Sequence, residues 1–255
     1  MFSNIRYVLL TATRDRLFFG LLIGVLAAAY ISSVLGSTAM LETEQMTLSF
    51  TAAAARVIIM IGMIVFIGFH MKNAFEAREI DVLLSRPISR TTLVISYWLG
   101  FATVATLLVL PTIVLIVIIG TLNQTGFMLW SLSLLLESWL VVSMTLFAAL
   151  TIRSGVGTVL ASLAMYTLSR MMGFFVVVTK TSGMLFSDVE VGTGARWLVS
   201  GVSTVVPRLD FYAKSSWLIY GPKTYDDLYL FLTQSAVFIP LLIAASAIDF
   251  KRKQF

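Results

Sequence analysis

Glu76, Arg78, Glu79, Asp81, Arg86 and Arg90 place six charges in the stretch EAREIDVLLSRPISR, within a 255-residue chain that is 58% hydrophobic and only 12% charged. Charges of both signs around the apolar run Val82, Leu83 and Leu84 suit docking against the surface of another protein. A second chemistry lies in Glu137 and Arg170, which stand in long apolar runs. Ionisable groups at such positions are costly and face a cavity or a partner. Other chemistry is sparse. There is no cysteine, which excludes disulfides, thiolate catalysis and cysteine-bound metals. The single histidine, His70, cannot build a histidine metal site alone. No His-Glu-x-x-His motif occurs, and no Gly-x-x-x-x-Gly-Lys-Ser/Thr phosphate loop; Lys180-Thr181 lacks the preceding glycines. The expectation is therefore a chain that is not an enzyme and carries no cofactor of its own.

The elements that position these residues are membrane spans. Mean hydropathy is +0.94, and no charged residue occurs between Arg90 and Glu137. A span needs about 20 apolar residues to cross about 30 Å of hydrocarbon. That run holds two spans joined by the turn Asn123-Gln124-Thr125-Gly126. The fold class read from the sequence is an all-α integral membrane protein with six spans near 17–36, 54–71, 93–120, 127–150, 156–178 and 229–248. Pro111 in the long third span and Pro240 in the sixth predict kinks or interfacial ends. The first apolar run, Leu17 to Leu41, exceeds the core of about 7–15 residues in a cleaved signal peptide, so it reads as retained. Residues 1–16, with Phe2, Ile5, Leu9 and Leu10 at helical spacing beside Arg6, Arg14 and Arg16, read as an amphipathic helix on the inner leaflet.

Orientation follows from the basic residues. With the N-terminus inside, the inner segments hold Lys72, Arg78, Arg86, Arg90, Arg153, Lys251, Arg252 and Lys253, while the first two outer loops hold none. Both termini then face the cytoplasm. The net charge of +5 belongs to these loops and implies no nucleic-acid partner. The outer connection 179–228 carries Trp197, Phe211, Tyr212, Trp217, Tyr220 and Tyr225 and is broken by Pro207 and Gly221-Pro222. It reads as short pieces lying at the membrane surface.

The segment 72–90 joins the second and third spans inside. Asn73 and Glu76 read as a capping box opening a short helix, Pro87 ends it, and Ser89 caps the third span. A topological anchor accounts for the basic residues but leaves Glu76, Glu79 and Asp81 unexplained. Here the chain resembles the first cytoplasmic loop of ABC-2 type transporter permeases, in which an acidic cluster leads to Leu-Leu-Ser-x-Pro-x-Ser-Arg. Glu76, Glu79, Asp81, Leu83, Leu84, Ser85, Pro87, Ser89 and Arg90 stand in that order. Ile80-Asp81 replaces the Gly-Thr of many relatives. Val205–Gly221, VVPRLDFYAKSSWLIYG, is similar to the outer segment of the subgroup for multi-copper enzyme maturation.

The resemblance implies an ABC-2, type V exporter-like permease fold in a plasma membrane, that of a bacterial inner membrane. Two copies, or one with a paralogous permease, would form the path. Two copies of an ATPase subunit, holding ATP and Mg, would dock on a coupling helix containing Glu76, Arg78, Glu79, Asp81, Leu84, Arg86, Pro87 and Arg90. An ion-coupled secondary carrier using Glu137 and Arg170, with Glu137 as its proton-binding group, is the alternative. An intramembrane enzyme is the third, with the poorest constellation.

Glu137 and Arg170 fall at comparable depth on consecutive spans, roughly 12–15 Å from the outer ends, and read as an ion pair that either orients two helices or lines a path. Gly20-x-x-x-Gly24 puts small residues on one face of the first span, for packing within the chain or against a second copy. Arg56, near the outer end of the second span, is expected to snorkel to the interface.

Overall fold

The computed structural model describes residues 7–12, 16–38, 42–77, 89–120, 123–152, 154–185, 193–222 and 226–252. A short helix, α1, covers 7–12. It is followed by α2 (Arg16–Ser37), α3 (Thr43–Glu76), α4 (Arg90–Ile119), α5 (Gln124–Ile152), α6 (Gly155–Leu185), α7 (Thr193–Val205), a 3₁₀ turn at Leu209–Phe211, α8 (Ser216–Tyr220) and α9 (Asp226–Arg252). No strand occurs among the described residues. Six of these helices, α2 to α6 and α9, are long and apolar enough to cross a membrane. The chain is thus an all-helical, multi-pass membrane architecture.

α5 is the hub. Leu134, Leu140, Val142 and Trp130 are buried, and α3, α4, α6, α8 and α9 all pack on it. α2 is peripheral. It rests mainly on α3, with Leu21 seated on Gly62 and Gly24 in van der Waals contact with Ile58. Its outer face leaves Phe19, Ile23, Leu26, Tyr30 and Ile31 exposed. So continuous an apolar belt is what a bilayer solvates and water does not.

The spans run longer than their apolar runs. α3 has 34 residues, which at about 1.5 Å each exceeds the hydrocarbon thickness. Its added N-terminal turns are Thr- and Ala-rich, and they stay helical because Thr47, Leu48, Thr51 and Ala52 are buried against neighbours. At the other end α3 continues through Asn73, whose carbonyl accepts the Ala77 N–H at 2.9 Å. Asn73 therefore lies in the last turns of a span instead of capping a new helix. Helix continues past both Pro111 and Pro240.

Two further expectations change. α1 buries Val8 and Ala12 against the bundle, with Val8 covering Gly100 and the Tyr7 ring 6.2 Å from His70, while Leu10 points outward. It docks on protein with Val8, Ala12 and, of the expected face, Leu9, which packs half-buried against the core; Phe2 and Ile5 lie outside the described residues. The stretch after Pro207 does not lie along a surface. Leu209, Tyr212, Ala213, Trp217 and Leu218 are buried among α3, α5, α6 and α9. Apolar residues there find more burial inside the bundle than at an interface. α7 does leave Trp197, Leu198 and Val205 exposed.

Candidate functional site

Two places hold the residues singled out from the sequence. The first is the connection between α3 and α4. Arg78, Glu79, Asp81, Leu84, Arg86 and Pro87 lie outside the described residues. Its two roots are described. Glu76 ends α3 and pairs with Lys72 at 3.5 Å one turn back. Ser89 caps α4, its Oγ accepting the Thr92 N–H at 3.1 Å. Arg90 then donates to the carbonyls of Phe250 and Lys251, both at 3.2 Å. The start of the third span is thereby fastened to the end of the sixth.

The second place is inside the bundle. Glu137, fully buried near the middle of α5, lies 3.7 Å from Arg170 Nη1 on α6. Arg56 of α3 joins them. It does not snorkel outward; its Nη1 donates to the Ala213 carbonyl. Arg170 donates through Nη1 to the Leu209 carbonyl and, at 3.1 Å, to that of Tyr212. Two guanidinium groups thus face one carboxylate, with Tyr166 at the same centre. Among the described residues neither Glu137 oxygen accepts a hydrogen bond, and Arg56 Nε donates none.

The reason for this arrangement lies in the backbone it holds. Residues 207–215 are mostly not α-helical; the carbonyls of Leu209, Lys214 and Ser215 accept backbone N–H groups, but among the described residues those of Tyr212 and Ala213 have no backbone donor. Non-helical backbone at membrane depth is tolerated only when protein satisfies it. Arginine is suited to this because its planar fork presents several donors and stays charged. Ser133 on α5 completes the set, its Oγ accepting the Ala213 N–H at 3.0 Å. Ala213 sits at φ +44°, a left-handed conformation that costs a non-glycine residue about 1 kcal/mol.

Further tethers fix the segment on all sides. Tyr212 donates its hydroxyl to the Phe231 carbonyl at 3.0 Å and shares a hydrogen bond with Ser235 at 2.8 Å. Lys214 Nζ reaches both oxygens of Asp227 at 3.0 Å. Arg208 holds Asp210 at 2.8 Å and lies 4.2 Å above the Phe211 ring. Asn123 donates its N–H to the Leu218 carbonyl at 3.2 Å, and its Oδ1 caps α5 by accepting the Gly126 N–H at 3.0 Å.

Burial pushes the Tyr212 hydroxyl up to about 12, with the Glu137 carboxylate adding to the rise and the Ser235 hydrogen bond opposing it. Because the folded value lies above the ordinary one, the stability from the neutral phenol is complete below about pH 10. It is lost as pH climbs through about 12. Tyr212→Phe is expected to cost about 1 kcal/mol in thermal unfolding at neutral pH. The variant should also lose part of the decline above pH 10 that the parent shows.

Of the two intramembrane charges singled out from the sequence, the structure brings both together. It adds Arg56 and the backbone of 209–213, which sequence reasoning missed. The available signal was Arg56 itself, a basic residue in an otherwise uncharged stretch of α3 from Gln45 to Met71. A Cβ added at Gly20 would meet nothing within 4 Å, and one at Gly24 would touch only Ile58. Gly24 therefore packs within the chain, and Gly20 faces outward. No family model matches this chain, and no curated protein matches it.

Proposed function

We propose that this chain is the transmembrane permease subunit of an ATP-binding cassette transporter, an exporter, energised by a separate ATPase subunit that docks on residues 72–90. The observation that carries the reading is the charged connection between the second and third spans, set on two stiff roots. α3 runs helical to Glu76, and α4 starts at a capped Ser89–Arg90 corner. Arg90 extends that corner to α9 through the Phe250 and Lys251 carbonyls. A push on such a connection moves three spans together, as coupling to an outside engine requires.

The missing phosphate loop agrees with this division of labour, since hydrolysis then belongs to another chain. A path for cargo would form between two copies, or between this chain and a paralogous permease, with the connection and both termini on the cytoplasmic side of a bacterial inner membrane. The exposed apolar faces of α2 and α6 supply surfaces for lipid and for a second copy.

The test is copurification with a phosphate-loop ATPase in mild detergent. Reversing Glu79 and Asp81 to Arg is expected to reduce recovery of the ATPase by about tenfold and to uncouple its hydrolysis, with insertion of the chain unchanged. A purified chain that transports at full rate with no ATPase present would end the proposal. One observation favours a second reading. Glu137 has two carboxylate oxygens without hydrogen-bond donors among the described residues, as a proton-carrying group would. An ion-coupled carrier would transport in proteoliposomes driven by a pH gradient alone, and the ATP-driven permease would not.

A further inference from the structure

We infer that the segment from Pro207 to Gly221 is a gate at the far end of the bundle from the termini, held shut by a latch of Arg56 and Arg170 that Glu137 keeps charge-balanced. Four features converge on it. The segment is bracketed by residues that interrupt helix, Pro207 on one side and Gly221 at φ +71° with Pro222 on the other. Its backbone is held by side chains from separate spans: Arg56 of α3 on Ala213, Arg170 of α6 on Leu209 and Tyr212, and Ser133 of α5 on the Ala213 N–H. Separating α3 from α6 therefore breaks these bonds, while Tyr212 and Lys214 keep the segment tied to α9 through Phe231, Ser235 and Asp227.

The residue at the centre of the latch, Ala213, is also the strained one. Strain of that kind persists only while its surroundings impose it, so release of the bonds favours departure of the segment. Finally, the polar cluster is not saturated. Both Glu137 oxygens and Arg56 Nε lack hydrogen-bond partners among the described residues. A fully satisfied buried network rigidifies its surroundings, and a partly satisfied one retains alternative pairings. The groups that face Glu137 are Arg56 from α3, Arg170 and Tyr166 from α6, and Tyr212 from the segment itself. Removing the carboxylate leaves two like charges together in a poorly solvated place. Each guanidinium then gains by turning toward water, which frees the carbonyls they hold.

What the gate admits rests on the transport reading above; the latch does not. The chain contains no cysteine, so a single one reports cleanly. Leu218→Cys lies fully buried within the segment and removes none of its tethers, and Ser216→Cys on its exposed side serves as the access control. Each is labelled with a permanently charged methanethiosulfonate in lipid nanodiscs. Arg56→Met is the cleaner opening variant, because it removes one tether and leaves Arg170 and Glu137 as a balanced pair. It is expected to raise the rate at position 218 on the order of tenfold, with the rate at 216 unchanged, and Glu137→Gln to raise it at least as much. Equal rates at 218 in parent and Arg56→Met overturn the latch.

A second measurement needs no variant. Hydrogen exchange of the unaltered chain should show 207–221 exchanging faster than the buried stretches of α3 and α5. Exchange as slow as those helices makes the segment a fixed part of the core and overturns the gate. Neither measurement involves an ATPase, so loss of the permease reading would leave both outcomes standing.

Discussion

Arg170→Leu is expected to lower the stability of the chain by about 3–5 kcal/mol, read as a large drop in thermal unfolding temperature in detergent. The change does two kinds of damage. It leaves Glu137, which has no exposed surface, without its nearest cation. It also strips the Tyr212 carbonyl of its donor and takes one of two donors from the Leu209 carbonyl, which keeps the Tyr212 N–H. The triple variant Arg56→Met, Glu137→Leu and Arg170→Leu separates the two, because changing 137 and 170 alone would leave the Arg56 guanidinium buried without a counter-charge. Replacing buried charges together by apolar groups is often neutral, whereas removing one partner is costly. The triple variant should therefore recover the electrostatic part of the loss and keep the part due to the lost hydrogen bonds to the Leu209, Tyr212 and Ala213 carbonyls, for a residual cost of about 1–3 kcal/mol. A triple variant as unstable as the single one would show that the unpaired charge contributes little. Full recovery would show that the carbonyl bonds contribute nothing.

Gly126→Ala is expected to destabilise by about 3 kcal/mol, at the upper end for overpacking by one methyl. A Cβ there would come within 1.8 Å of the Trp217 carbonyl oxygen and 2.7 Å of its carbon. The obstacle is backbone, which no rotamer change moves aside. That backbone is itself held, since the Trp217 carbonyl accepts the Gly221 N–H at 3.0 Å and Trp217 and Leu218 are buried. The start of α5 and the α8 turn must therefore part. Gly20→Ala provides the contrast, because nothing lies within 4 Å of the added carbon, and its unfolding temperature should match the parent's within about 0.5 kcal/mol. Thermal unfolding of the two variants side by side checks both statements. Equal stability of the two would mean that α8 yields easily and is not anchored on α5.

The six spans were legible because each is a long apolar run, and burial in hydrocarbon needs only length and composition. Their ends were less so. Asn73 carries a capping signature, yet α3 passes through it, because one more helical turn buries Ala74 and packs Phe75 against the core. Ser89 was readable as a cap because the residue acts on its own helix, three positions on. Glu137 and Arg170 could be paired from their depth on consecutive helices. Arg56 could not, since its partner is the carbonyl of Ala213, 157 positions away in sequence. The aromatic residues of the connection between the fifth and sixth spans suggested a membrane surface. Residue type does not tell Tyr212, buried against Phe231 and Ser235, from Trp197, which is exposed.

From its amino acids alone, then, this chain is a six-span helical membrane protein with a charged connection after the second span and two ionisable groups at depth. These properties depend on local composition and on spacing within one helix. Tertiary structure alone decided that the segment 207–221 folds into the bundle and that two arginines from different spans hold its backbone. It also decided that Gly126 meets a carbonyl while Gly20 meets nothing. Such outcomes depend on which backbone atoms remain without partners once the helices are packed. In a low-dielectric interior each of those atoms must find a donor or acceptor from wherever in the chain one can reach.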